Sequence, residues 1–170
     1  MKKIIAGIMA VTMTTCMFAS CGDKDDSDSS SKGYEKVVTD LVKAANDKDA
    51  DALIKCIMPD AVVDGYKDML KDAGMDWDDM KEEFVSDFED EVGESGKVSV
   101  DIKSSKKVDD LSDVQEYVDD MYDSLGADDD HEVSEAYEIE AVFSTSEEEE
   151  DEEQTLYSYK LDGDWYIMMD

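Results

Sequence analysis

Apolar residues recur at helical spacing in the first half of the chain, and the pattern predicts four helices. The first stripe covers Tyr34–Ala45, and a short second one must end at Pro59, because proline lacks a backbone N–H and restricts the residue before it. A third covers 60–73. Asp76 is a suitable N-cap for the fourth, which Gly93 ends. The apolar positions are Tyr34, Val37, Val38, Leu41, Val42 and Ala45; Leu53 and Ile57; Val63, Tyr66, Met69 and Leu70; and Trp77, Met80, Phe84, Phe88 and Val92.

From Lys97 the apolar residues occur at every second position, which predicts a strand through Ile102. A fifth helix follows, with Ser112-x-x-Gln115 as a capping box. Three more strands are predicted, which makes four in all. Asp162-Gly163-Asp164 is predicted to form the turn between the third and the fourth strand. Those three strands cover about Val133–Phe143, Tyr157–Leu161 and Trp165–Met169.

This order of elements predicts an α+β fold. Helices come first, then one strand, one helix and a closing antiparallel meander, so we expect the N-terminal helices to pack on one face of a curved, mainly antiparallel sheet of about four strands. One domain covers 34–170. The seven acids of Glu147–Glu153 cannot be buried and predict an exposed acidic loop at 147–153.

The N-terminus has the organisation of a secretory signal peptide, predicted to cover 1–20. Two lysines precede an uncharged apolar run, Ile4–Phe18, which closes on the small pair Ala19-Ser20. A bilayer-spanning helix needs about 20 apolar residues, so this run is too short. Residues 21–33 are then read as a flexible acidic and serine-rich tether.

Phe18-Ala19-Ser20-Cys21 resembles the bacterial lipobox, with Phe18 where Leu is usual. The resemblance implies signal cleavage between Ser20 and Cys21 and diacylation of the Cys21 thiol. Cys16 is a poorer anchor, because bulky threonines precede it. Simple secretion without lipid is the alternative. We therefore expect a lipoprotein anchored to the cell membrane and facing outside the cytoplasm.

Composition restricts the partners. The chain contains 16 Lys, no Arg and 48 acidic residues, for a net charge of −32. Nucleic acids bind through cationic side chains that displace counterions, so we expect no nucleic-acid partner. Without guanidinium groups, tight binding of anionic ligands is also disfavoured.

Cys56 is the one cysteine left unpaired if Cys16 leaves with the signal and Cys21 carries lipid. A redox or nucleophilic thiol is one reading. Because Cys56 lies on a predicted helix among apolar residues with no His nearby in sequence, a buried small hydrophobe is favoured.

Metal and cofactor sites are not predicted. Asp47-x-Asp49-x-Asp51 begins like a calcium loop, but Ala52 and Met58 stand where Gly and Glu are needed; a helix end followed by a helix start is favoured. His131 lies in an acidic stretch without a second nitrogen or sulfur ligand, which favours a solvated loop with a surface His. The run Glu147–Glu153 predicts only weak, non-specific divalent-cation binding.

Both ends of the predicted domain resemble the nuclear-transport-factor-2-like superfamily, as found in small bacterial lipoproteins. The resemblance rests on the Tyr34–Met58 helical pair with its Asn46–Leu53 joint, and on Tyr159–Ile167. It implies a cone whose sheet surrounds an apolar cavity, in which the superfamily's enzymes place Asp, His or Tyr as acid and base. Tyrosines that could line such a cavity, or equally pack in a core, are Tyr66, Tyr117, Tyr122, Tyr137, Tyr157 and Tyr159.

Two functions stay open. The favoured one is a non-catalytic binding or interaction module for a small apolar ligand or a protein partner, since the sequence contains no triad order, phosphate loop or zinc motif. The alternative is a small lyase or isomerase that uses an acid–base residue in the cone.

Overall fold

A computed structural model describes residues 32–92, 97–126, 131–146 and 152–168. The predicted signal peptide, Ser20, Cys21 and most of the predicted tether lie outside the described residues. So do most of the acidic run after Ser146, the predicted stop at Gly93 and the aspartates before His131.

The described residues form five helices and four strands, which confirms the α+β prediction. Helices precede the first strand, and one helix separates it from a three-stranded meander. The helices are α1 (Gly33–Asp47), α2 (Ala50–Ile57), α3 (Asp60–Asp72), α4 (Trp77–Val92) and α5 (Ser112–Asp123); the strands are β1 (Val98–Lys107), β2 (Val133–Thr145), β3 (Glu152–Leu161) and β4 (Asp164–Met168).

The joint between α1 and α2 is a helix end followed by a helix start, as predicted. Lys48 adopts a left-handed conformation (φ 55°) and its N–H donates to the Ala45 carbonyl. The Asp49 carboxylate then accepts a hydrogen bond from the Ala52 N–H at 3.0 Å and caps α2. Asp49 therefore serves the backbone of α2, and Asp51 forms an ion pair with Lys81.

The four strands form one antiparallel, curved sheet in the order β1-β2-β3-β4. β2 pairs with β1 through Val100↔Phe143 and with β3 through Ala136↔Tyr159. The β3–β4 turn is closed by Asp162 (φ 53°) and Gly163 (φ 102°), the left-handed pair that a two-residue hairpin favours. This turn confirms the one predicted from Asp-Gly.

The N-terminal helices α1 and α2 pack on one face of the sheet, as predicted, and α5 covers the other face, which was not predicted. Neighbouring strand residues point to opposite faces. Ile139 and Ile167 pack with Val38 of α1, whereas Ala136 and Tyr159 pack with Val118 of α5. We call these the α1–α2 face and the α5 face.

Two local predictions are wrong. Ser112 does not cap α5, because Leu111 is the N-cap and its side chain makes no capping hydrogen bond. The Gln115 side chain instead reaches the sheet, where its Oε1 accepts from the Val133 N–H at 2.9 Å. The acidic run also ends earlier than expected, since Glu152 and Glu153 belong to β3 and lie opposite Phe143 and Val142.

Candidate functional site

An open groove of about 650 Å³ lies between α1 and α2 and ends at β4. The α1 residues that line it are three or four positions apart, so they form a single stripe from Gly33 to Asp47. At 1.5 Å per residue this stripe is about 21 Å long. We call this feature the α1–α2 groove.

The α1 side of the groove's rim alternates in charge, and Asp49, Asp60 and Asp164 add negative charge elsewhere on the lining. Along α1, Lys36, Asp40, Lys43 and Asp47 follow one another, and Lys55 of α2 faces them across the groove. Lys36 and Asp40 form an exposed ion pair, and pairs of that kind contribute little to stability. Their charges therefore remain available to a ligand.

The floor of the groove is apolar. Val37, Ala44 and Cys56 are each less than a tenth exposed, and Met58 lies half-buried beside them. Half of the residues that line the groove are charged, so it is more polar than a small-molecule pocket, which is mostly apolar.

Trp165 closes one end of the groove and is held by aromatic contacts. Its ring centroid lies 5.7 Å from that of Tyr34 and 5.8 Å from that of Tyr137, and the two tyrosines stack at 3.7 Å. The indole lies directly on the first turn of α1, where a Cβ at Gly33 would come within 2.3 Å of the indole nitrogen. The end wall is therefore closely packed.

Cys56 is a buried thiol, as predicted. It is 7% exposed and forms no disulfide with any described residue. Burial raises its pKa to about 11, and the charge of Asp40 adds to this effect while that of Lys36 opposes it. The thiol is protonated at neutral pH, and thiols in that form are poor nucleophiles.

The aromatic candidates divide between the faces and mostly serve the core. Tyr137 packs on the α1–α2 face, and Tyr117, Tyr122 and Tyr159 pack on the α5 face. Tyr157 donates to Glu138 Oε2 at 3.1 Å. Tyr66 lies half-buried on α3. The structure thus does not bring these six hydroxyls together.

The tyrosines of the α5 face hold their protons strongly. Burial raises the pKa of Tyr159 well above its usual range, and the neighbouring Tyr117 adds to this. Burial, followed by the charges of Asp164 and Asp60, raises the pKa of Tyr166 to about 12. A general base near neutral pH needs the opposite shift.

His131 is not the surface residue that the acidic stretch predicts, because its side chain is only 24% exposed. Its ring stacks on Tyr122 with centroids 4.0 Å apart, and Nδ1 lies 3.3 Å from Asp162 Oδ2. Its backbone carbonyl accepts from Gln115 Nε2 at 2.8 Å. His131 therefore fastens the start of β2 to α5 and to the β3–β4 turn.

No three His, Cys, Asp or Glu side chains within the described ranges are grouped so that they could hold a metal ion.

Across the part of the chain that the structure describes, no helix has both the length and the apolar character needed to cross a bilayer.

The groove was not predicted from the sequence. Its charged stripe has the spacing of any solvated helix face, and only the separation of α1 from α2 makes it concave. The alternation of sign from Lys36 to Asp47 is the one sequence signal that distinguishes it. Searches of protein families, curated proteins and solved structures found no match to this chain.

Proposed function

We propose that this protein is a cell-envelope lipoprotein that binds a partner without catalysing a reaction. Signal cleavage after Ser20 leaves Cys21 as the lipidated N-terminus, and the tether to residue 33 holds the domain near the outer face of the cell membrane. Lipid is needed for this, because a chain of net charge −32 is repelled by an anionic lipid surface. We expect no cofactor and no nucleic-acid partner.

The observation that carries the proposal is the α1–α2 groove. It joins a buried apolar floor to a rim of both signs and ends at Trp165, which packs on Tyr34. A ligand that complements this arrangement carries apolar groups and charges of both signs. A segment of a partner protein fits that description better than the small apolar ligand that a cone would hold.

The alternative, a lyase or isomerase, has less support. It requires an acid or base in a solvent-connected cavity against the concave sheet. The α1–α2 face of the sheet is filled by a single packed cluster. Its members include Tyr34, Ile139 and Ile167, each at most 5% exposed. Side chains of the core occupy the place that a substrate would need.

Site-specific photo-crosslinking in the native cell tests the proposal. A photoreactive phenylalanine analogue would replace Lys55 on the rim of the groove or, as the control, Lys71; both are exposed lysines in the last turn of their helices. We expect a discrete crosslinked species from position 55 and none from position 71. Equal crosslinking from both positions, or none from position 55, would contradict a binding role for the groove.

A further inference from the structure

β1 differs in charge from the rest of the molecule. Within Val98–Lys107, three lysines stand against one aspartate, so the strand is net positive. The other eight helices and strands that the structure describes are neutral or negative. β1 is also an edge strand, because the sheet order places it at one end.

A side-chain amide already occupies part of this edge. Asn46, near the end of α1, donates from Nδ2 to the Val98 carbonyl at 2.7 Å and accepts from the Val98 N–H at its Oδ1 at 2.8 Å. These are the two hydrogen bonds that a neighbouring strand would make. Asn46 therefore shows that the edge accepts a peptide-like group in strand geometry.

The next backbone groups along the edge are available. The Ser146 N–H donates to the Lys97 carbonyl, and hydrogen-bonded and non-hydrogen-bonded pairs alternate in an antiparallel ladder. Val98, Val100 and Ile102 consequently turn their N–H and C=O groups away from β2. Among the described residues, no hydrogen bond from outside the sheet reaches the backbone of Val100 or Ile102.

We propose that the edge of β1 at Val100–Ile102 binds an extended acidic segment of a partner protein, which adds to the sheet as a fifth strand. Main-chain hydrogen bonds supply the affinity in this mode of recognition, and alternate side chains supply the specificity. Apolar side chains of the segment would extend the half-buried row of Val98, Val100 and Ile102. Its acidic side chains would reach the exposed Lys106 and would compete with Asp101 for Lys103, since those two residues form an exposed ion pair.

A second copy of this chain is a poorer occupant than an acidic segment of a partner. Two chains of net charge −32 repel each other, and two β1 strands would bring lysines together. Edge lysines and a bulge also protect sheets from unwanted pairing, and β1 has an irregularity between Ile102 and Ser104. The test must therefore distinguish binding of a segment from the alternative, in which these features only protect the edge of β1 from pairing.

The test uses the full chain in detergent and a short synthetic peptide that alternates glutamate and valine. Net charge opposes this peptide, so its binding requires a specific site. We expect the bound peptide to slow hydrogen exchange at the Val100 and Ile102 amides by about tenfold or more. Replacing both β1 lysines, K103E with K106E, should weaken binding about tenfold. The same charge change at K55E with K71E should have little effect.

Three results would overturn the proposal. The peptide could fail to bind, or the control pair could weaken binding as much as the β1 pair does, which would place the peptide at the groove. The Val100 and Ile102 amides could also be protected before peptide is added and lose that protection on dilution, which would identify a second copy as the occupant.

Discussion

The two faces of the sheet hold their helices in different ways. On the α1–α2 face, cohesion is largely aliphatic, since Val38, Ile139 and Ile167 are fully buried. On the α5 face, Tyr122 and Tyr159 pack among valines, and Gln115 and His131 also join the helix to the sheet through polar contacts. The α1–α2 face therefore has its polar link at the sheet edge, from Asn46 to Val98 of β1, whereas the α5 face has one on the inner strand β2, from Gln115 to Val133.

The largest expected effect is on the α1–α2 face. Ile139→Ala removes a side chain that is fully buried between β2 and α1, and it should lower the free energy of unfolding by about 2–5 kcal/mol. Urea denaturation measures the change. Val142→Ala, at a half-buried position on the same strand, is the control and should cost less. Equal losses would mean that this face is not the main apolar core.

An intermediate effect is expected at the polar link of the α5 face. Gln115→Ala leaves the Val133 N–H without its acceptor, and an unpaired buried donor costs about 1–3 kcal/mol. Thermal unfolding, compared with that of Glu116→Ala at the next, exposed position, measures this loss. If both variants unfold at the same temperature, the link contributes nothing and the contrast between the faces is weaker than we describe.

The smallest effect should have the opposite sign. Tyr159 has a buried hydroxyl with no hydrogen-bond partner among the residues that the structure describes, so Tyr159→Phe should raise the stability at neutral pH by about 1 kcal/mol. Because burial raises the pKa of Tyr159 in the folded state, the folded chain keeps this proton where the unfolded chain releases it. Stability is therefore lost as pH rises above about 10, and Tyr159→Phe should remove part of that loss.

Cys56, on the α1–α2 face, should affect the pH dependence of stability at lower pH than Tyr159, on the α5 face. Its pKa rises from 9.0 to about 11 on burial. The stability that the protonated thiol contributes is therefore lost as pH rises from about 9. Cys56→Ala should delay the start of the alkaline decline, whereas Tyr159→Phe should reduce its later part. Unfolding curves recorded at successive pH values would show this order. A decline unchanged in both variants would contradict the assignment.

Much of the fold could be predicted from the sequence, because local signals coincide with the element boundaries. Pro59 separates α2 from α3, and Asp162-Gly163 makes the last turn. β1 continues beyond Ile102 to Lys107, which periodicity does not indicate, since the added residues are serine and lysine. That part of the strand is specified by pairing with β2.

The contacts between elements could not be predicted. Ser112-x-x-Gln115 has the spacing of a capping box, yet the Asp110 carboxylate accepts the Ser112 N–H at 3.1 Å and Gln115 bonds to β2. The second covered face was missed because Ala136 and Tyr137 are adjacent and both pack against helices, so β2 shows no simple alternation there. The groove depends on the distance between two helices, which the order of residues does not specify.

Attachment to the membrane is the premise of the proposed function, and the intact mass of the protein extracted from membranes tests it most directly. We expect a chain that begins at Cys21 and carries diacylglycerol on the thiol, and we expect Cys21→Ser to abolish this species. An unmodified N-terminus at any other residue would contradict the account.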